Sequence, residues 1–157
     1  MPYRRVEIIS PLSFAEVERR IASLVGPRRS FMEYFWRRPD PSDRPFEGKA
    51  DGEGRFRFYR RIYHRNSFLP RIRARIEPDP RGTVVRLVMY VHPAVVAFML
   101  FWIGAVLMGF FTIERSDRLI PGGMLLFAVA LTLGAFYPEA FKAERMLRAE
   151  LQAEGGS

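Results

Sequence analysis

Two uncharged apolar runs, residues 91–113 and 119–137, constrain this chain more than any other feature in it; neither contains an Asp, Glu, Lys or Arg. A helix rises 1.5 Å per residue, so about 20 residues cross a hydrocarbon core roughly 30 Å thick. Each run has that length. The five residues between them, 114–118, allow only a tight connection. The expectation is a transmembrane α-helical hairpin, with spans of about 92–113 and 119–137, both of whose ends lie on one side of a bilayer.

Charge divides the chain at the same place. Residues 1–90 carry 19 Arg, one Lys and 11 acids, a net of +9; residues 91–157 carry a net of −1. Basic residues favour the cytoplasmic side of a span. Arg71, Arg73, Arg75, Arg81 and Arg86 precede the hairpin and Lys142, Arg145 and Arg148 follow it, whereas its connection holds only Arg115 and Arg118. The chain is therefore expected in the cell membrane of a bacterial type (the inner membrane), with both termini cytoplasmic. Residues 1–10 show no apolar core of the kind a secretory signal needs. There is no cysteine, which excludes disulfides and thiolate chemistry.

Before the hairpin, the pattern predicts a two-layer α+β domain over residues 1–91. Residues 3–9 read as a strand. Ser13 followed by Glu16 is a capping box, so a helix should start at Phe14, with Phe14, Val17, Ile21, Leu24 and Val25 on its apolar face. Gly26-Pro27 should stop it. A short strand is expected in 28–36, a proline-rich loop in 37–45, an edge strand at 46–49 and a turn at 51–54. Residues 55–65, 68–76 and 83–91 alternate apolar and polar side chains, as half-covered antiparallel strands do. The expected fold is thus a small antiparallel sheet with one covering helix, in the order β-α-β-β-β-β. His92-Pro93 should turn the last strand directly into the first span, since proline is tolerated in a helix's first turn. Residues 138–157 should form a short C-terminal helix with a weak apolar stripe of Ala140, Ala143, Leu147 and Leu151, read as solvated.

Two constellations are candidates for function. Arg55, Arg57, Arg61, Arg71, Arg73, Arg75 and Arg86 should share one sheet face with Tyr59, Tyr63 and Tyr90. A planar guanidinium suits phosphate and carboxylate, and basic clusters beside a membrane are attracted to anionic lipid. A solvated face, with arginine stems covering apolar surface, is the plainer alternative. Within the hairpin, matched depth pairs Gly109 with Gly123 and Gly104 with Ala128, and small residues let helices approach closely.

No catalytic constellation emerges. His64 and His92 lack metal-ligand spacing, and residues 51–54 lack the lysine of a phosphate-binding loop. No cofactor is expected. The expected role is a non-enzymatic accessory or scaffold protein, its basic domain touching anionic headgroups or a larger membrane complex. The alternative is a membrane-tethered sensor that binds an anionic small molecule between helix and sheet. The expected partners are therefore the bilayer, anionic lipids and other membrane subunits; nucleic acid is disfavoured.

Overall fold

The alternation in the middle of the chain folds as its period requires, into adjacent strands with one face covered. The structure, a computed structural model, describes residues 2–27, 44–62, 66–114 and 117–152. Within these, β1 (Tyr3–Ser10) leads to α1 (Phe14–Leu24), β2 (Val25–Gly26), β3 (Phe46–Ala50), β4 (Arg55–Arg60), β5 (Arg71–Asp79) and β6 (Gly82–Tyr90). Two long apolar helices follow, α2 (Pro93–Thr112) and α3 (Leu119–Gln152). The expected short strand in 28–36, the loop in 37–43, Tyr63, His64, Arg115 and the last five residues lie outside the described set.

The sheet is α+β in class but not a pure meander. Its order is β1-β6-β5-β4-β3-β2, so the first strand closes onto the last and holds the edge beside the root of α2. It is also mixed, because β2 pairs with β3 in parallel. The Gly26-Pro27 stop does end α1 at Leu24, but Val25 passes at once into this two-residue strand. The hairpin between β5 and β6 is tighter than expected, because pairing persists to Asp79 opposite Gly82. Gly82 adopts φ +129°, and an added Cβ would lie 2.3 Å from the Ser10 carbonyl, so only glycine fits.

Ser13 caps α1 by accepting from the Glu16 amide at 3.3 Å. Val17 and Ile21 are buried against the inner face of the sheet, among Ile8, Ile72 and Leu87. This is one covering helix, and a second lies beside it. α3 does not end with its apolar run: it continues through Pro138, and its last four turns bury Ala140, Ala143, Leu147 and Leu151 in the same core. The tail is therefore not a solvated appendage. Its weak stripe is fully used because the sheet offers an apolar face wider than α1 can cover.

Polar contacts lock this second helix down. Arg4 pairs with Glu144 at 2.5 Å and stacks its guanidinium over Phe141 at 4.1 Å. Arg60, at the end of the apolar face of β4, donates from Nε to Glu139 at 2.6 Å. Ser10 Oγ donates to the Leu151 carbonyl at 2.5 Å, and Arg20 to the Glu150 carbonyl at 2.7 Å. The core is thus built from two stretches of chain, one before α2 and one after the apolar part of α3. Val91 and Phe136 are both buried in it, so both ends of the apolar pair are rooted in one body.

α2 and α3 are each long and apolar enough to cross a membrane. His92 caps α2 by accepting from the Ala94 amide at Nδ1, 3.1 Å, with Pro93 in the first turn. The expected glycine matching is corrected. A Cβ built on Gly104, Gly109 or Gly123 would meet nothing within 4 Å, so these residues do not bring the helices together. Ala128 is buried, but it lines an apolar pocket of about 300 Å³ left between α2 and α3, with Val95, Met99, Ile103 and Thr132. Depth alone misjudged the contact because it ignores the rotation of each helix about its axis.

Candidate functional site

The outer sheet face, opposite α1 and α3, carries the arginines. Strand pairing arranges them in rows. The first row, at the end from which α2 leaves, reads Glu47, Tyr59, Arg71, Tyr90 and Tyr3 across β3, β4, β5, β6 and β1. The second reads Lys49, Arg57, Arg73, Val88 and Arg5; the third, from β4 to β1, reads Arg55, Arg75, Arg86 and Glu7. Successive rows stand two residues apart, about 6.6 Å along the strands.

Six of the seven expected arginines share this face within its strands. Arg61 is instead buried at its margin. It follows the end of β4, its side chain is only 8% exposed, and its Nε donates to Glu47 at 2.8 Å. Tyr59 also donates to Glu47, at 3.0 Å. Alternation could not show that Arg61, one residue past the end of β4, would be buried against Glu47. Two further basic residues join the face, Arg5 from β1 at one edge of the sheet and Lys49 from β3, next to the other edge.

Like charges directly opposite one another are destabilising, and the face relieves part of that cost with carboxylates. Arg57 pairs with Asp51 at 2.5 Å, Arg75 with Glu77 at 3.0 Å, and Arg86 with Glu77 at 3.0 Å and Glu7 at 3.1 Å. The hydrogen bond from Arg57 holds the Asp51 carboxyl below its ordinary range. Arg55, Arg71 and Arg73 have no carboxylate partner among the described residues. Arg73 instead lies over the Tyr90 ring at 5.0 Å and donates to its hydroxyl at 3.0 Å. Arg5 does the same on the neighbouring strand, over Tyr3 at 5.3 Å and donating to its hydroxyl.

Rows two and three enclose a shallow concavity of about 530 Å³, lined by Arg55, Arg57, Arg73, Arg75 and Arg86 together with Asp51 and Glu77. The space expected for a ligand between α1 and the sheet is filled by the buried side chains of both layers. Among the described residues no three His, Asp or Glu side chains gather as a metal-holding set. The chemistry on offer is hydrogen-bond donation by fixed cations, which suits anions.

Compared with protein-family models, curated proteins and solved structures, the chain finds no match.

Proposed function

We propose that this chain is an integral membrane protein of accessory or scaffold type, whose sheet meets anionic lipid headgroups at its helix-bearing end. α2 and the apolar part of α3 cross the bilayer as a hairpin. The domain stands on the cytoplasmic side of a bacterial inner membrane, as the excess of basic residues at the roots of the hairpin favours.

The observation that carries this reading is the first row of the outer face. It places Tyr3, Tyr90 and Tyr59 beside Arg71, which forms no ion pair with a carboxylate among the described residues, at the end of the sheet that runs into α2. Tyrosine is enriched at the boundary between membrane and water. A basic side chain near an anionic surface gains about 1 kcal/mol. That gain fades over a Debye length of about 8 Å at physiological salt. Arg71 therefore lies within reach of headgroups, Arg73 and Arg5 lie near the limit, and Arg55, Arg75 and Arg86 lie beyond it.

Lipid dependence of stability tests the reading. The full chain in neutral detergent micelles should melt at a higher temperature on adding phosphatidylglycerol than on adding phosphatidylcholine. Replacing Arg5 and Arg71 by Gln should remove the difference. Equal shifts with both lipids, or an undiminished difference in the variant, would overturn headgroup contact and leave a protein partner as the reason for the row. Topology has its own test, because the chain has no cysteine of its own. An impermeant thiol reagent should reach Asp117→Cys and Ser23→Cys from opposite sides of sealed vesicles; labelling from one side would refute the hairpin.

A further inference from the structure

The concavity on the second and third rows is not accounted for by the headgroup contact. It lies one to two rows further from the root of α2, about 7 to 13 Å along the strands. At that distance screened headgroup charge is weak, yet the guanidiniums are most concentrated there. Five of them face two carboxylates in the lining.

Their arrangement is specific. Arg57 stands opposite Arg73 and Arg55 opposite Arg75, so the four make a two-by-two grid on β4 and β5. Asp51 occupies Arg57, and Glu77 occupies Arg75. Arg55 and Arg73, which form no ion pair with a carboxylate among the described residues, stand on the diagonal of the grid, Arg55 acting on Asp51 only at longer range. Diagonal neighbours on a sheet are about 7–8 Å apart. Arg73 is additionally held by the Tyr90 ring and hydroxyl, which limits how far its head can swing to relieve the repulsion. The grid leaves a pair of fork-shaped donors facing one depression, with charge to spare.

We infer that this concavity is a binding site for a small soluble anion bearing two linked phosphate groups, gripped by Arg55 and Arg73. Guanidinium forks bind phosphate through paired N–H donors. A diphosphate places one anionic group toward each end of the diagonal, whereas a single phosphate engages one fork and leaves the other uncompensated. The inference rests on the same arginine-bearing face as the headgroup reading, but on different residues of it, so the two fail separately.

The test uses the full chain in neutral detergent micelles, titrated calorimetrically with inorganic pyrophosphate, and with orthophosphate and sulfate at matched ionic strength. Pyrophosphate should bind at least tenfold more tightly than either. Arg55→Gln with Arg73→Gln should weaken it tenfold or more, while Arg5→Gln with Arg71→Gln leaves it unchanged. Asp51→Asn, which releases Arg57 into the site, should tighten it several-fold. That gain is a readout that misfolding could not mimic. A parallel titration in phosphatidylglycerol nanodiscs separates the sources of phosphate. Unchanged affinity there supports a soluble ligand; competition by the lipid would overturn it and assign the grid to headgroups. No preference over sulfate, or binding indifferent to both the Arg55/Arg73 and Asp51 changes, would overturn the site itself.

Discussion

The side-chain amide of Asn66 donates a 3.0 Å hydrogen bond to the carbonyl of Ala135, three residues before Pro138. Proline has no N–H, and its ring crowds the carbonyl four residues back, so it opens the preceding helical turn. Here the carbonyl four residues back is that of Gly134, and Asn66 bonds the next one, that of Ala135, from the connection between β4 and β5, while its own oxygen accepts from the Phe68 amide at 2.9 Å. It therefore pins the sheet to α3 at the point where the helix changes from apolar run to domain cover. Asn66→Ala should cost about 1–2 kcal/mol of unfolding free energy, read by thermal or SDS-titrated unfolding in mixed micelles. In a Pro138→Ala background, where the turn closes on itself, the same change should cost measurably less. Equal costs in the two backgrounds would refute the link between the amide and the proline.

Because the core is assembled from both sides of the apolar pair, shortening the chain should unfold the sheet. Removal of residues 139–152 deletes Ala140, Ala143, Leu147 and Leu151, all of them buried. Loss of a buried leucine to alanine costs about 2–5 kcal/mol. Leu147→Ala should fall in that range, whereas Met146→Ala, on the half-exposed side of the same helix, should cost well under half as much. Limited proteolysis gives the check: the truncated chain should be cleaved throughout β3–β6 under conditions in which the full chain resists. Resistance in the truncated chain would show that residues 1–91 hold together alone.

Acid should loosen the same helix. Burial alone would raise the Glu139 and Glu144 carboxyls, but hydrogen bonds from Arg60 and Lys142, and from Arg148 and Arg4, outweigh it and hold both below the ordinary value of 4.5. A carboxyl whose pKa is lower folded than unfolded stabilises the fold above the unfolded value, and that stability is lost as pH falls through the folded one. The melting temperature should therefore drop as pH falls below about 4.5. Glu139→Gln with Glu144→Gln should be less stable at pH 7, since it strands Arg60 and Arg4, and should show a flatter acid limb. An acid limb as steep as the parent's would assign the sensitivity to other carboxylates.

Much of this fold was legible in the residues themselves. Period-two spacing placed Phe56, Phe58, Ile72, Ala74, Ile76, Leu87 and Met89 on the buried face, and the Ser13–Glu16 pattern located the start of α1. Six of the seven arginines could be assigned to one face for the same reason. What escaped was long-range. Nothing local in residues 139–151 distinguishes a solvated helix from one that covers a sheet, because Ala, Leu, Glu and Arg at helical spacing suit both. The partners that decide it, Arg4, Ser10, Arg20 and Arg60, lie 79 to 141 positions away in the chain. The parallel pairing of Val25 with Phe46 escaped likewise, since two residues carry no period.

The glycines of the apolar helices give the sharpest contrast between sequence depth and three-dimensional placement. If Gly104, Gly109 and Gly123 let α2 and α3 approach, larger side chains there should force the helices apart at a cost of about 1–3 kcal/mol each. The open space beyond each of them predicts otherwise. Gly104→Ala, Gly109→Ala and Gly123→Ala should be neutral or stabilising by up to about 1 kcal/mol, because alanine is the better helix former. Gly104→Leu should also leave unfolding unchanged. Gly48 supplies the counterexample within the same molecule. A Cβ there would lie 2.2 Å from the Arg57 carbonyl and 2.5 Å from the Phe58 side chain, so Gly48→Ala must displace β3 from β4 and should be strongly destabilising. SDS-titrated unfolding of the five variants, with size-exclusion chromatography to follow association, decides the point. A loss above 1 kcal/mol at Gly104 or Gly109 with unchanged size would restore the glycines to the contact between α2 and α3; the same loss with a smaller particle would place them between two copies of the chain.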